Sequence, residues 1–404
     1  MAMAAIEDAI TAIARGEIIV VLDDEDRENE GDLIMAASAV TPEKIAFFLE
    51  HTSGYICAPM TAERCDELDL PLMVLSNTES HRTAFTITVD YRYGTTTGIS
   101  AYDRSATIAA LVDPRTRPGD LARPGHICPL RAAPGGVLKR AGHTEAAVDL
   151  ARLAGLEPAG VLCEITDSKK MGMARGPELE AFAAEHGLLM ITIADLIRYR
   201  RRNEKLVKRF SEARIPTDFG EFTCYAFQSV LDGTEHLAFV KGDVAGKPGV
   251  LVRVHSECLT GDVFGSLRCD CGPQLQDAMR MIDDEGSGVV VYLRGHEGRG
   301  IGIGHKLRAY HLQEQGADTV DANSKLGLPV DSREYGIGAQ ILTDLGVTTM
   351  RLMTNNPSKF GGLEGFGLDI VDRVQMPSRI TPENTDYLRT KRDRMGHLIE
   401  GNLG

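Results

Sequence analysis

Three cysteines in the second half of the chain have the spacing of a metal site. Cys258 is followed by ten residues and then by Cys269 and Cys271, which one residue separates. Thiolates bind zinc tightly, and three of them without an evident fourth partner predict a position open for water. Such a position lowers the pKa of the bound water toward neutrality, as a hydrolase requires. His255 could be a fourth ligand, so a structural zinc site stays open as the alternative.

Two polar segments that follow these cysteines could hold phosphate groups. Residues 294–302 read Arg-Gly-His-Glu-Gly-Arg-Gly-Ile-Gly, where glycine amides can approach phosphate and Arg299 offers a planar fork. This segment is not a Walker loop, because no Gly-Lys-Ser or Gly-Lys-Thr follows it. Residues 354–359, Thr-Asn-Asn-Pro-Ser-Lys, follow a predicted strand at 350–353 and form a second candidate phosphate turn.

The N-terminal half has its own set of candidate residues. Seven carboxylates lie within ten residues at 23–32, where they repel one another unless they are solvated or bind a divalent cation. Oxygen ligands suit magnesium or manganese, whereas an acidic surface loop is the simpler alternative. Residues 140–144, Arg-Ala-Gly-His-Thr, precede a predicted helix and have the composition of a phosphate cradle. Glu164 follows a predicted strand at 160–163.

The elements that must position these residues alternate along the chain. Apolar runs bounded by glycine predict strands, and caps such as Thr41-Pro42 predict where helices begin. The pattern therefore predicts an α+β class with two α/β domains, each a mixed sheet packed with helices. Further strands are predicted at 18–22, 188–193, 222–230, 236–241, 250–254 and 288–293. Helices are predicted at 41–51, 144–154, 177–187, 272–285, 304–315 and 334–345.

A run of basic residues at 198–209 divides the two halves of the chain. Such a run is usually the solvated face of a helix, so we expect a basic helical linker between a domain at 1–200 and one at 201–404. The length of 404 residues agrees, because it exceeds what one compact core normally holds. The first strand of the second domain is expected only after Ile215-Pro216. The basic residues of the run are Arg198, Arg200, Arg201, Arg202, Lys205, Lys208 and Arg209.

Composition narrows the class of protein. Hydrophobic residues make up 43% of the chain and charged residues 25%, as in soluble enzymes. No apolar run is long enough to span a membrane and no signal peptide is evident, so we expect a cytoplasmic protein. The net charge of −14 disfavours nucleic acid as a partner but not a small phosphorylated substrate. The remaining cysteines are expected to be buried packing residues: Cys57, Cys65, Cys128, Cys163 and Cys224.

The blocks around the cysteine triad resemble GTP cyclohydrolase II. The strings RVHSECLTGDVFGSLRCDCGPQLQ, EGRGIG, GADTVDAN and TNNPSK carry the resemblance across most of residues 210–400. It implies zinc on Cys258, Cys269 and Cys271, and hydrolysis of GTP to 2,5-diamino-6-(5-phosphoribosylamino)pyrimidin-4(3H)-one, formate and pyrophosphate. The GTP contacts that it implies are Arg253, Val254, His255, Ser256, Glu257, Gln274, Glu297, Gly298, Arg299, Thr319, Thr354 and Lys359.

The same resemblance implies three catalytic side chains. Tyr310 is the family's proton donor, Asp331 its base and Arg333 its nucleophile at the α-phosphate. Because an arginine with a pKa above about 12 is a poor nucleophile, charge stabilisation by Arg333 is the competing interpretation. Tyr310 could alternatively be an aromatic residue that packs on a helix face.

Residues from about 5 to 200 resemble 3,4-dihydroxy-2-butanone 4-phosphate synthase. The strings LDDEDRENEGDL, TTGISAYDR, RPGHICPLRA, GGVLKRAGHTEA and GVLCEI carry this resemblance. It implies conversion of D-ribulose 5-phosphate to 3,4-dihydroxy-2-butanone 4-phosphate and formate, with Mg2+ or Mn2+ on Glu28 and His143. His126 and Glu164 are then catalytic. The substrate contacts that it implies are Arg27, Glu28, Asp32, Arg140, Ala141, Gly142, His143, Thr144 and Glu164.

One departure from this second pattern concerns a loop. Lys169 and Lys170 occupy a segment that is usually acidic in the family, yet we expect activity to survive because Glu164 and the metal ligands are present. The leading hypothesis is one chain with two enzymes that each make a riboflavin precursor. In one alternative the N-terminal half is only a scaffold. In another the cysteines form a structural zinc module that binds a partner or RNA. The resemblance implies a homodimer or higher homo-oligomer.

Overall fold

The computed structural model describes residues 3–24, 27–314, 335–356 and 366–396, together with Leu398. The chain divides into two compact units, Met1–Asn203 and Glu204–Gly404. Each unit contains a mixed sheet packed with helices, so the predicted α+β class is confirmed. In the described part of the chain no helix is long and apolar enough to cross a membrane.

The described strands of the first unit form one mixed sheet in the order β4-β5-β3-β6-β2-β1-β7. Its strands are β1 (Ile19–Leu22), β2 (Gly31–Ala36), β3 (Cys57–Met60), β4 (Val89–Tyr91), β5 (Leu121–Arg131), β6 (Gly160–Glu164) and β7 (Met190–Thr192). Its helices are α1 (Ile6–Ala14), α2 (Pro42–His51), α3 (Ala62–Glu67), α4 (Ala101–Val112), α5 (His143–Leu153), α6 (Pro177–His186) and α7 (Ile193–Asn203).

Both faces of this sheet are buried, and successive side chains of a strand pack into different cores. Val20 of β1 belongs to the core that includes residues of α2, α4 and α6. Its neighbours Ile19 and Val21 belong to the opposite core, with residues of α1, α5 and α7. Successive strand residues point to opposite sides, so a run that is apolar at every position requires cover on both faces. The predicted cap of α2 is confirmed, because Thr41 accepts a hydrogen bond from the Lys44 amide at 3.3 Å.

The described strands of the second unit have the order β14-β13-β11-β12-β10-β9-β8. They are β8 (Val207–Thr217), β9 (Gly220–Ser229), β10 (Glu235–Lys241), β11 (Val250–Ser256), β12 (Gly288–Leu293), β13 (Thr349–Met353) and β14 (Asp369–Val374). The described helices are α8 (Leu259–Asp262), α9 (Cys271–Glu285), α10 (Gly302–Glu314), α11 (Gly336–Asp344) and α12 (Thr385–Met395).

Three central strands of this sheet run parallel and end at the same edge. β11 pairs in parallel with β12 on one side and with β13 on the other. The segments that follow these strands therefore emerge together: Glu257 and Cys258, residues 294–299, and residues 354–356. Ligands of open α/β sheets bind at the carboxyl ends of the parallel strands. The topology thus brings Cys258 together with the described parts of the two predicted phosphate segments.

The prediction of a basic helical linker is wrong in its second part. Helix α7 ends at Asn203 and strand β8 begins at Val207, so Lys208 and Arg209 lie in a strand. This strand pairs with β9 from Val207↔Ser229 to Thr217↔Gly220, and the second sheet starts well before Ile215. Ladder hydrogen bonds between the two strands of this hairpin outweigh the local charge pattern, and a sheet edge tolerates charged side chains.

The solvated-face interpretation of that basic run also fails at one residue. Arg200 is only 4% exposed, and its guanidinium lies 2.6 Å from the Asp149 carboxylate and 2.8 Å from the Gly135 carbonyl oxygen. A buried arginine is stable only with such partners. The ion pair of Arg200 with Asp149 therefore links α7 to α5 within the first unit.

Candidate active sites

The three predicted metal cysteines converge at the edge where the parallel strands end. Cys258 lies two residues after the end of β11, and its sulfur lies 3.7 Å from the sulfur of Cys269. Cys271 is the first residue of α9, and all three sulfur atoms lie within 4.8 Å of one another. A Cβ at Gly261 would approach the Cys269 sulfur to 2.8 Å, so a side chain there would disturb the cluster. Three converging thiols fit zinc.

His255 does not belong to this cluster, and its ring contacts Asp262. Its Nε2 lies 3.1 Å from both carboxylate oxygens of Asp262, and its ring stacks on Tyr292. Asp262 also accepts hydrogen bonds from the Cys258 amide at 3.0 Å and from the Tyr292 hydroxyl at 2.9 Å. Among the described residues no histidine or carboxylate joins the three thiols. The geometry therefore disfavours His255 as the fourth ligand that would close a structural zinc site.

A lysine that the sequence interpretation missed contacts the same cluster. Lys306 of α10 lies 3.2 Å from the Cys258 sulfur and 2.5 Å from a Glu297 oxygen. Burial lowers the pKa of Lys306, but these two partners outweigh it and raise the pKa above its ordinary value. Hydrogen bonds from Cys269 and Cys271, and then the charge of Lys306, lower the pKa of Cys258. The thiolate form is thus favoured at Cys258, whereas hydrogen bonding to Cys258 raises the pKa of both Cys269 and Cys271.

The three cysteines line a pocket that is open to solvent at its mouth. Most of the predicted GTP contacts line it, as does the predicted proton donor Tyr310. The lining predicted contacts are Arg253, His255, Ser256, Glu257, Gln274, Gly298, Arg299 and Thr354. Lining residues that were not predicted are His296, Ile301, Lys306, Ala309, Gln313, Asn355, Asn356, Tyr387 and Lys391. Four predicted residues lie outside the described part of the chain: Thr319, Asp331, Arg333 and Lys359.

Strand alternation separates the predicted contacts of β11. Arg253 and His255 face the pocket, whereas the side chain of Val254 packs in the core. Any contact of Val254 with GTP would thus come from its backbone. Glu297 is buried beneath the pocket, where it accepts hydrogen bonds from the Leu259 amide at 2.6 Å and from Lys306. This position indicates that Glu297 supports the thiol cluster.

The metal ligands predicted for the first unit also converge. Glu28 and His143 form a group with Asp23 in which the ligand atoms lie within 4.8 Å of one another. His143 is the first residue of α5, and its Nε2 donates to the Val21 carbonyl oxygen at 3.1 Å. Its Nδ1 is therefore the nitrogen available for a metal, and it lies 3.7 Å from a Glu28 oxygen. Asp23 is an addition to the predicted ligand set.

Two further carboxylates border this group. Asp32 and Glu164 are direct neighbours across β2 and β6, so their side chains leave the same face of the sheet. Burial, followed by the charges of Glu164 and Glu28, raises the pKa of Asp32 to about 7. Burial lowers the pKa of His143, but Asp32 and Glu28 outweigh it and raise the value to about 9. Oδ1 of Asp32 is buried and has no hydrogen-bond partner among the described residues. This excess of negative charge fits a divalent cation.

The two predicted catalytic residues of this unit each have a partner that fixes the side chain. His126 lies with Nδ1 2.7 Å from Asp90, which also accepts from the His126 amide at 2.9 Å. A Cβ at Gly98 would come within 2.0 Å of Asp90 and 2.6 Å of the His126 ring, so the Gly98 backbone packs directly on the pair. Ser53 donates to Glu164 at 2.7 Å. No sequence signal pointed to Asp90 or Ser53, because each contact joins residues that are far apart along the chain.

The remaining predicted substrate contacts of this unit surround the start of α5. Arg140 lies 2.7 Å from Glu145 and 2.8 Å from the Thr83 hydroxyl. Ala141 and Gly142 precede α5, and Thr144 in its first turn is buried. Arg27 pairs with Asp23 and with Glu28, the latter at 2.8 Å. The scattered cysteines Cys57, Cys65, Cys128, Cys163 and Cys224 are all buried, as predicted.

The fold and the two clusters define an enzyme with two α/β units, one suited to zinc and one to a hard divalent cation. Residues 7–199 match the 3,4-dihydroxy-2-butanone 4-phosphate synthase family, and residues 208–375 match the GTP cyclohydrolase II family. The chain belongs to the family of bifunctional riboflavin biosynthesis proteins that join these two domains. Both resemblances inferred from the sequence are confirmed.

Individual relatives agree over nearly the whole chain. The riboflavin biosynthesis protein RibBA of Nocardia farcinica is 62% identical over 397 residues, which cover 98% of this chain and 96% of that protein. The chloroplastic bifunctional riboflavin biosynthesis protein RIBA 1 of Arabidopsis thaliana is 61% identical and covers 97% of this chain and 73% of that protein. The crystal structure of RibBX from A. baumannii, a two domain 3,4-dihydroxy-2-butanone 4-phosphate synthase, is 40% identical with a TM-score of 0.70. This structural match covers 92% of this chain and 99% of the RibBX chain.

Proposed function

We propose that the chain releases formate from two substrates in two separate sites. The first unit converts D-ribulose 5-phosphate to 3,4-dihydroxy-2-butanone 4-phosphate, and the second hydrolyses GTP to 2,5-diamino-6-(5-phosphoribosylamino)pyrimidin-4(3H)-one and pyrophosphate. One observation carries the proposal: each family match contains its own converging ligand cluster. Asp23, Glu28 and His143 lie within the first match, and the three thiols lie within the second.

In the second unit the side chains around the pocket bind GTP and move protons. Zinc, when bound to the three thiolates, supplies a Lewis acid and an activated water for attack at C8 of guanine. Arg299 and the neighbouring glycine amides offer the donors that triphosphate requires. The hydroxyl of Tyr310 is protonated at neutral pH, as for an ordinary tyrosine, and burial raises its pKa further, so it can act as the proton donor. Arg333 and Asp331 complete the proposed site at the α-phosphate.

In the first unit the carboxylates and histidines carry out proton transfers on ribulose 5-phosphate. Mg2+ or Mn2+, when bound by Glu28 and His143, supplies positive charge next to the sugar oxygens. Glu164, held by Ser53, and His126, held by Asp90, are placed to take up and return protons. Arg27 and Asp32 contact the sugar in this assignment. Arg140 and the amides at the start of α5 bind the phosphate.

The organisation of the protein is part of the proposal. We place the domain boundary between residues 200 and 201, which is supported by the family match that ends at residue 199 and by compact units that divide after Asn203. The proposed location is the cytoplasm, the partners are the two small substrates, and the chain forms a homodimer or a higher homo-oligomer. Neither nucleic acid nor a membrane has a role.

The test is substrate-by-substrate measurement of formate. Purified protein with zinc and magnesium is incubated with GTP alone and with ribulose 5-phosphate alone. Both reactions are expected to release formate, and only the GTP reaction is expected to release pyrophosphate. No formate from GTP would contradict the assignment of the second unit. Release of formate from GTP but not from ribulose 5-phosphate would instead support the alternative in which the first unit is a scaffold.

A further inference from the structure

Helix α12 lies beyond the matched part of the GTP cyclohydrolase II family and yet lines the pocket. The match ends at residue 375, whereas α12 spans Thr385–Met395. Tyr387 and Lys391, one turn apart on this helix, both face the pocket above the thiols. Leu388 is fully buried and anchors the helix in the unit. The described C-terminal segment is therefore part of the wall of the site.

Lys391 makes a buried ion pair with the residue between two of the metal cysteines. Its Nζ lies 2.8 Å from Oδ1 of Asp270, and the two side chains are 11% and 1% exposed. The same Nζ lies 4.5 Å from the centre of the Tyr387 ring. A buried carboxylate at this position needs a cation, because an unpaired charge away from water is strongly unfavourable.

The ion pair continues as a directed chain of hydrogen bonds across the pocket floor. The second oxygen of Asp270 accepts from the Gln274 amide nitrogen at 2.7 Å. The Gln274 amide oxygen accepts from Arg253 at 2.8 Å, and Arg253 also donates to the Met353 carbonyl oxygen at 2.8 Å. The direction is fixed at both ends, since a carboxylate only accepts and a guanidinium only donates. Lys391 thus stands at one end of a network whose other end is Arg253, a pocket residue on β11.

We infer that Lys391 is a positioning residue of the GTP site, an inference that rests on the proposed hydrolysis of GTP. Through Asp270 it holds the turn that carries Cys269 and Cys271, and through Gln274 it holds Arg253. Removal of its charge takes away the direct ion pair of the buried Asp270 carboxylate, which should displace the turn between the two thiols. Residues that orient metal ligands from behind typically change metal affinity or activity by about 10- to 100-fold.

The experiment compares Lys391→Met with Arg392→Met in the full-length protein. Arg392 is the next residue of α12, is exposed, and pairs with its neighbour Asp393 at 2.7 Å, so it controls for loss of one positive charge. Zinc content is measured against graded chelator, kcat and KM are measured with GTP, and ribulose 5-phosphate turnover is measured in the same preparation. We expect Lys391→Met to lose zinc at about tenfold lower chelator and kcat to fall about 50-fold. Arg392→Met should stay within about twofold, and the synthase reaction should not change.

Two further variants distinguish positioning from simple loss of folding. Lys391→Arg keeps the charge and should recover turnover to within about tenfold of the parent. The double change Asp270→Asn with Lys391→Met removes both charges and should retain zinc better than Lys391→Met alone. Equal zinc retention and kcat in Lys391→Met and Arg392→Met would overturn the inference. A parent protein that releases no formate from GTP would instead contradict the proposed function, while zinc retention would still test Lys391.

Discussion

The two ligand clusters differ in how far the chain buries them. The thiol cluster takes Cys258 from the segment after β11, Cys269 from the segment before α9 and Cys271 from the start of α9, and buried Lys306 contacts Cys258. The carboxylate–histidine cluster takes Asp23 and Glu28 from the loop between β1 and β2, and only His143 from a helix. Each cluster therefore takes one ligand from the start of a helix and two from connecting segments, and the clusters differ in burial: Cys258 and Cys269 are buried, whereas Asp23 and Glu28 are half-buried.

This difference matches the chemistry of the two proposed metals. Zinc prefers thiolates in a fixed tetrahedral arrangement, and it can remain bound through many turnovers. Magnesium keeps several waters and is bound by few protein ligands together with substrate oxygens. The comparison therefore predicts one resident metal and one exchangeable metal within the same chain.

The largest expected effect is on the resident metal. Cys269→Ser should lower GTP turnover by about 1000-fold, because the third thiolate holds the metal that activates water. Zinc content and formate release from both substrates are measured, with Cys224→Ser as a control at another buried cysteine of the unit. The synthase activity should not change. Unfolding of the second unit in Cys269→Ser would favour a structural metal and count against the proposal.

A smaller loss is expected from a partner residue in the first unit. Asp90→Asn removes the carboxylate that fixes His126, and it should reduce kcat with ribulose 5-phosphate by about 100-fold with little change in KM. Asp66→Asn is the matched control, since Asp66 forms an exposed pair with Arg131. Steady-state kinetics with both substrates provide the measurement. If Asp90→Asn matched the control, His126 would not depend on this pair.

Mild chelation tests how readily each of the two proposed metals is lost from the protein. After dialysis against EDTA, ribulose 5-phosphate turnover should fall at least about 20-fold and return on addition of Mg2+. GTP turnover should change by less than about twofold over the same period, because buried thiolates retain zinc. Metal analysis accompanies both assays. Equal loss of the two activities would remove the distinction between a resident and an exchangeable metal.

The pKa of His143 predicts how magnesium affinity depends on pH. Its value of about 9 without a cation means that the ring is protonated at pH 7, and metal binding must displace this proton. Affinity should therefore rise by about tenfold per pH unit from pH 7 to 9 and level off above that. Calorimetry in buffers of different ionisation enthalpy should detect about one proton released at pH 8. An affinity that does not vary with pH would refute this linkage.

The smallest effect is expected where the sequence departs from the family pattern. Lys169 and Lys170 are exposed, and Asp167 holds their turn by accepting from the amides of Lys169 at 2.9 Å and Met171 at 3.0 Å. Replacement of both lysines by aspartate should change kcat/KM for ribulose 5-phosphate by less than about threefold, since surface charges act weakly. A loss of tenfold or more would show that the lysines take part in the reaction.

Local signals predicted most elements because they depend on neighbours in sequence. The helix predicted at 177–187 is α6, Pro177–His186, with Gly187 in the left-handed conformation at its end. The strand predicted at 288–293 is β12 with the same bounds. The basic linker failed because β8 exists only through its pairing with β9, and the charge pattern carries no information about that partner.

The sequence by itself determined the families, the cysteine triad and the acidic loop, since these depend on residue type and spacing. Only the tertiary structure decided which side chains support them. Lys306 contacts Cys258 from another segment, Asp90 reaches His126 across a strand pair, and Lys391 reaches Asp270 from the last described helix. Such contacts join residues far apart along the chain, and sheet register and helix packing create them. Residue chemistry therefore indicated the candidate metal ligands, whereas packing determined which other side chains contact and position them.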